Sequence, residues 1–184
     1  MGLSNIFIGF ESIDDEKLGS INKDNSSLNN EKAYYIAKKH DVAVTASFMI
    51  SPDFTKLDFK KLIDFVKRLK ISVPAFSVLT PLPGTKLYND LKEKLNTFNY
   101  NYFDLFHPVL DTYLSKAEFF KEFSNLYKSS YKTLNLRAGD ILFVIKYLIT
   151  GKMPLNHIFK LKKSMKLIST PSTYEKCLLA NDIN

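Results

Sequence analysis

The first chemically suggestive stretch of the chain is an acid placed just beyond an apolar run: Ile6, Phe7 and Ile8 lead into Gly9, and Glu11 follows before helix signals begin at Ser12 to Asp14. The run reads as a buried strand that delivers Glu11 to its carboxyl end. Parallel α/β sheets bind ligands at the carboxyl ends of their strands, so an acid there is well placed to hold one. The plainer reading is a helix-terminal charge favoured by the backbone dipole of the next helix. His107, in FDLFHPVL, is a second residue able to handle protons near neutral pH. A lone histidine among aromatic residues is more often a hydrogen-bonded packing residue than a base. The single cysteine, Cys177, excludes a disulfide framework or a cysteine metal site within one copy, which fits a reducing cytoplasm.

The elements that must position these residues alternate. After the opening strand, Asp14, Asp15 and Glu16 load the first turn of a short helix, and Gly19 weakens it. A polar loop from Asp24 to Asn30 can cap the next helix, whose apolar stripe is Ala33, Ile36 and Ala37. Val42 to Ile50 forms a second strand so continuously apolar or small that burial on both faces is expected. Thr55 with Asp58 is a relative of the capping box, and Phe59, Leu62, Ile63, Phe65, Val66 and Leu69 give the helix that follows. Val73 to Leu79 is a third strand, ended by Thr80-Pro81-Leu82-Pro83-Gly84. Thr85 can cap a helix carrying Leu87, Tyr88, Leu91 and Leu95. Repeated strand-helix units imply a parallel sheet with right-handed crossovers. A full eight-unit barrel takes ~250 residues, so this chain holds only a portion of one. After an aromatic stretch from Asn99 to His107, helices are expected over Lys116 to Leu134, Asp140 to Ile149 and Leu155 to Ile168.

Composition adds bounds. The chain has 184 residues, 45% of them hydrophobic and 24% charged, and a formal charge of +7. Its lysines are spread over most expected helices, without an arginine-rich run or an RNA-binding aromatic signature. A solvated lysine surface is therefore expected, with no nucleic-acid partner. Met1 to Phe10 lacks the basic front of a signal peptide, and the longest apolar run, Ile141 to Thr150, is interrupted by Lys146 and falls well short of the ~20 residues of a membrane span. A buried strand so close to Met1 makes the beginning read as cut.

Taken in order, IFIGFES, Asn22-Lys23, VAVTASFMISPDFT and FSVLTPLPGTKLY resemble the carboxyl-terminal half of a radical S-adenosylmethionine enzyme barrel. Within that superfamily the series is most similar to the cobalamin (B12)-binding branch that includes hopanoid methylases and anaerobic tetrapyrrole cyclases. The resemblance covers about residues 5 to 135. It implies a partial TIM-like parallel (β/α) barrel, roughly strands four to six, over residues 1–110, followed by a helical extension over 111–184. It places Glu11 near the ribose of S-adenosylmethionine, where a carboxylate can accept from both hydroxyls. Lys23 would meet the methionine carboxylate, Ser47 would face the ribose where relatives carry a small or acidic residue, and Leu79 and Thr80 would lie beside adenine. His107 matches a recurrent histidine without an assigned role. Asp41 stands where a glycine usually ends the helix, and Asp111 where many relatives have proline.

The same resemblance implies an iron-sulfur cluster (4Fe-4S) held by three closely spaced cysteines, which this chain lacks, and a cobalamin whose ligands also lie elsewhere. The expected function is thus that of a fragment: part of the S-adenosylmethionine rim of an enzyme that makes a deoxyadenosyl radical and methylates a hydrophobic small molecule, lipid or tetrapyrrole. By itself the chain is expected to be inactive. The alternative is a noncatalytic half-barrel that pairs with a partner chain supplying the missing half. A third reading gives the basic helix with Ile158, Leu161, Met165 and Leu167 a role at an anionic membrane surface, against the plainer one of a solvated helix packed on the barrel.

Overall fold

The computed structural model describes residues 2–20, 26–131 and 155–174. Lys23, the helix expected over Asp140 to Ile149, and Cys177 lie outside the described residues. In chain order the elements are β1 (Asn5–Glu11), α1 (Asp15–Ser20), α2 (Ser27–Lys39), β2 (Ala43–Ile50), α3 (Lys56–Leu69), β3 (Val73–Val78), α4 (Lys86–Leu91), two 3-10 turns (Lys92–Lys94 and Tyr100–Tyr102), α5 (Lys116–Tyr131) and α6 (Leu155–Ile168). The three strands form one sheet in the order β1-β2-β3, and both pairings are parallel. The α/β class with a parallel sheet is therefore as the alternation of strand and helix signals implies.

Local chemistry sets the helix ends. The Thr55 hydroxyl accepts from the Asp58 N–H at 3.3 Å while the Asp58 carboxylate accepts from the Thr55 N–H at 2.9 Å, a reciprocal cap that starts α3. Ser26 caps α2 by accepting from the Asn29 N–H at 3.2 Å. That helix ends with Asp41 at φ 57, where the Asp41 N–H donates to the Lys38 carbonyl and the Val42 N–H to the Ala37 carbonyl. Asp41 thus adopts the left-handed conformation that glycine favours at this position.

The expected stripe of α2 holds in part: Ala37 packs against the core, but Ile36 does not. Asn30 and Tyr34 are its buried residues, and Ile36 is 61% exposed. Two polar tethers set this rotation: the Tyr34 hydroxyl donates to the Lys70 carbonyl at 2.9 Å and the Asn30 amide donates to the Phe10 carbonyl at 3.0 Å.

The sheet has two unlike faces, also a departure from the expectation of burial on both. Along β2, Val44, Ala46, Phe48 and Ile50 are buried, and the alternating Ala43, Thr45, Ser47 and Met49 are only half-buried. Side chains along a strand alternate between faces, so the helices cover one face and leave the other partly open. On the covered face Phe48 lies 5.3 Å from Phe10, 6.1 Å from Phe65 and 5.9 Å from Phe76, ring centre to ring centre. The same buried cluster takes in Phe119, Phe120, Phe123, Leu126 and Tyr127 of α5.

The two sheet edges also differ. The Tyr127 hydroxyl donates to the Phe76 carbonyl at 2.6 Å and accepts from the Phe76 N–H at 3.3 Å, and the Val78 N–H donates to the Leu105 carbonyl at 2.7 Å. A helix and a loop thus occupy the ladder positions that a fourth strand beside β3 would use. Beside β1, by contrast, Leu3 is 66% and Phe7 67% exposed. The helix after β3 is shorter than its leucines suggest: α4 has no buried residue, and α5 does the packing instead.

Candidate functional site

The site is built at the end of β1. Pairing with β2 runs in step as far as Gly9 opposite Ser47 and then shifts, so that Glu11 comes opposite Phe48. The residue absorbed by this bulge, Phe10, sends its ring into the core, fully buried between Phe48 and Phe65. Its carbonyl accepts from the Ser12 N–H at 2.7 Å and from the Asn30 amide at 3.0 Å. Glu11 itself is half-buried with φ 60. A left-handed residue other than glycine or asparagine costs about 1–2 kcal/mol. Bulges re-aim side chains, and both devices concentrate at functional sites. Glu11 carries both.

Below Glu11, Gly9 of β1, Ser47 of β2 and Ala75 of β3 are registered neighbours in one row across the half-buried face. The interior of a closed barrel is ordinarily filled by bulky branched side chains; this row holds none. Met49 and Ser77 form the next row toward the carboxyl ends.

The residues that the resemblance places around one nucleoside lie at different depths along their strands. Glu11 ends β1. Ser47 sits three residues before the end of β2, about 10 Å lower at about 3.3 Å per residue. Leu79 continues the half-buried series of β3 and ties the strands together, its N–H donating to the Ile50 carbonyl at 2.9 Å. Thr80 falls in the buried series, 8% exposed, with its hydroxyl donating to the Val78 carbonyl at 3.0 Å. The structure thus brings Ser47 and Leu79 to one side of the sheet, sets Glu11 opposite Phe48 beyond the bulge, and turns the Thr80 hydroxyl onto its own strand.

His107 is a clasp. It is 4% exposed, with Nδ1 2.7 Å from Asp104 Oδ2, Nε2 3.3 Å from the Tyr174 carbonyl, and the rings of Tyr102, Phe120 and Tyr174 around it. Burial raises the Asp104 carboxyl, but the His107 ring and the backbone N–H groups of Phe106 and His107 outweigh it and hold the group below its ordinary value. The packing reading of this histidine accords with these contacts.

A cleft of about 310 Å³ opens beside the strand ends, lined by Ser12, Asp14 and Asp15 after β1 and by Phe54, Asp58 and Lys61 from the segment after β2. None of Glu11, Ser47, Leu79 and Thr80 lines it. Asn30 is the residue that the sequence reading missed. It falls at the end of the polar stretch from Asp24 to Asn30, and nothing in its sequence neighbourhood distinguishes it from Asn29. No helix among the described residues is long and apolar enough to cross a membrane.

No family model matches the chain. Curated proteins do. The chain is 30% identical over 128 residues to a bacteriochlorophyllide d C-12(1)-methyltransferase of Chlorobaculum tepidum, an alignment covering 68% of this chain and 28% of that protein. It is 30% identical over 152 residues to a hopanoid C-3 methylase of Methylococcus capsulatus, covering 77% of this chain and 29% of the relative. An anaerobic magnesium-protoporphyrin IX monomethyl ester cyclase of Cereibacter sphaeroides is 24% identical over 132 residues, with 71% and 22% covered. These proteins are all radical S-adenosylmethionine family members, and the chain belongs to that family with them. It spans less than a third of the length of each of these three.

Proposed function

We propose that this chain supplies part of the S-adenosylmethionine-binding side of a cobalamin-dependent methyltransferase acting on a hydrophobic small molecule, lipid or tetrapyrrole. The observation that carries the reading is Glu11: a carboxylate held at a strand's carboxyl end by a bulge and a left-handed backbone, above a row of small residues. A carboxylate there can accept from both hydroxyls of a ribose. The row Gly9, Ser47 and Ala75 leaves room for a flat ligand, Leu79 offers an apolar edge for a base, and Ser47 a short neutral hydrogen-bonding group. Lys23 is assigned to the methionine carboxylate on the family resemblance alone. The small-molecule substrate class follows the printed activities of the relatives.

An iron-sulfur cluster does not fit the residues of this chain. The sequence has one cysteine, and cluster ligation takes several thiolates converging on one site. The cluster cysteines, the remaining strands of a TIM-like barrel and the cobalamin ligands are accordingly assigned to polypeptide outside this sequence, and the reaction to a cytoplasmic enzyme containing both parts.

Calorimetric titration with S-adenosylmethionine tests the reading. Binding is expected for the chain, weakened about tenfold or more by Glu11→Gln and abolished by Ser47→Phe, which fills the row. Absence of binding, or indifference to both substitutions, overturns it. A second reading, a half-barrel completed by a separate partner chain, is favoured by the contrast between the closed β3 edge and the exposed Leu3 and Phe7 at β1. An in-frame cysteine cluster in the DNA immediately upstream speaks for one polypeptide, a separate complementary gene for two.

A further inference from the structure

We infer that Asn30 is the positioning residue for the Glu11 carboxylate, an inference that rests on reading Glu11 as the nucleoside contact. Asparagine is a mediocre helix former, and a buried amide is costly unless bonded, yet Asn30 is 3% exposed in the second turn of α2. Its Nδ2 donates to the Phe10 carbonyl across the layer between helix and sheet. That carbonyl belongs to the peptide unit whose nitrogen is Glu11's own, so fixing its plane sets the reference plane from which the rotation about the Glu11 N–Cα bond is measured. Beyond the shift in register Glu11 is still paired, now opposite Phe48, so this unit sits where the ladder turns irregular. Two donors outside the ladder reach the Phe10 carbonyl, the Asn30 amide at 3.0 Å and the Ser12 N–H at 2.7 Å, while the Phe10 ring is wedged between Phe48 and Phe65. Ser12 moves with the segment it would hold. Asn30 is anchored in another element, so it supplies the fixed reference against which Glu11 is aimed.

The test compares the wild-type chain with Asn30→Ala, Glu11→Gln and the double variant. S-adenosylhomocysteine binding is measured by calorimetry, and the intraresidue amide to Hα cross-peak of Glu11 by NMR; this cross-peak is strong when φ is positive. Asn30→Ala leaves the Phe10 carbonyl with its Ser12 donor, so the chain is expected to fold. It should weaken binding about tenfold, lose the strong Glu11 cross-peak, and cost nothing further on the Glu11→Gln background. Residues acting through one another are non-additive in this way, and a merely structural residue is not. Should Asn30→Ala fail to fold, Asn30→Ser, which keeps a shorter donor, is read by the same criteria. An unchanged cross-peak, or losses that add in the double variant, overturns the role of Asn30. Glu11→Gln binding as tightly as wild type overturns instead the reading of Glu11, and the cross-peak then decides separately whether Asn30 sets its backbone.

Discussion

Glu11 holds a backbone conformation that its side chain makes unfavourable, and that conflict predicts the outcome of removing the side chain. Glu11→Gly relieves the left-handed strain, worth about 1–2 kcal/mol, against about 0.5–1 kcal/mol of extra chain entropy in the unfolded state. Urea denaturation should find the variant as stable as wild type or up to about 1 kcal/mol more stable, while S-adenosylmethionine binding is lost. A marked loss of stability would show that Glu11 is there for the fold. At this scale the sequence was informative about residue type and silent about conformation. IFIGFES announces an acid after a strand, but the bulge at Phe10 depends on a carbonyl bonded to Asn30, twenty positions away. Ser47 and Thr80 show the same limit, because depth along a strand and the direction of a hydroxyl are set by register and turn geometry.

Among the elements, α5 does most that the strand-helix pattern does not foretell. Tyr127 mimics a neighbouring strand at Phe76, so Tyr127→Phe leaves a buried N–H and carbonyl short of a partner and should cost about 1–3 kcal/mol. Faster amide exchange at Phe76 is the specific check. On the outer side of α5, the Glu118 carboxyl is pulled from 4.5 to about 2 by its hydrogen bond from Lys56, reinforced by the Ser115 hydroxyl. A pKa lowered by folding stabilises above the unfolded value of 4.5, and the contribution disappears as pH falls toward about 2. Both side chains are exposed, so the effect is small and screened by salt. Glu118→Gln should slightly flatten the acid limb of the stability curve at low ionic strength and leave the region above pH 5 parallel to wild type. Helix signals such as Thr55 with Asp58 were legible because caps are local. The exposure of Ile36 in α2 was not, because Tyr34 and Asn30 choose the buried face through Lys70, just past α3, and Phe10 in β1.

For the whole molecule, parallel strands, a closed β3 edge and a single cysteine lead to a prediction about iron. A radical S-adenosylmethionine enzyme holds its cluster through several thiolates, and one thiol per chain cannot satisfy that valence whatever its position. Anaerobic reconstitution of the purified chain with iron and sulfide should therefore yield no stoichiometric cluster and no cleavage of S-adenosylmethionine. The α/β alternation cannot show this by itself, because the same strand-helix units occur whether or not a cluster is present. Joining the chain through its β1 side to a family segment that carries the cysteines should restore both properties, since that edge exposes Leu3 and Phe7 while Tyr127 and Leu105 occupy the other. One cluster per copy on the chain alone would sink the division of labour. A joined protein that holds its cluster yet ignores Glu11→Gln would leave the family intact and move the cosubstrate away from the end of β1.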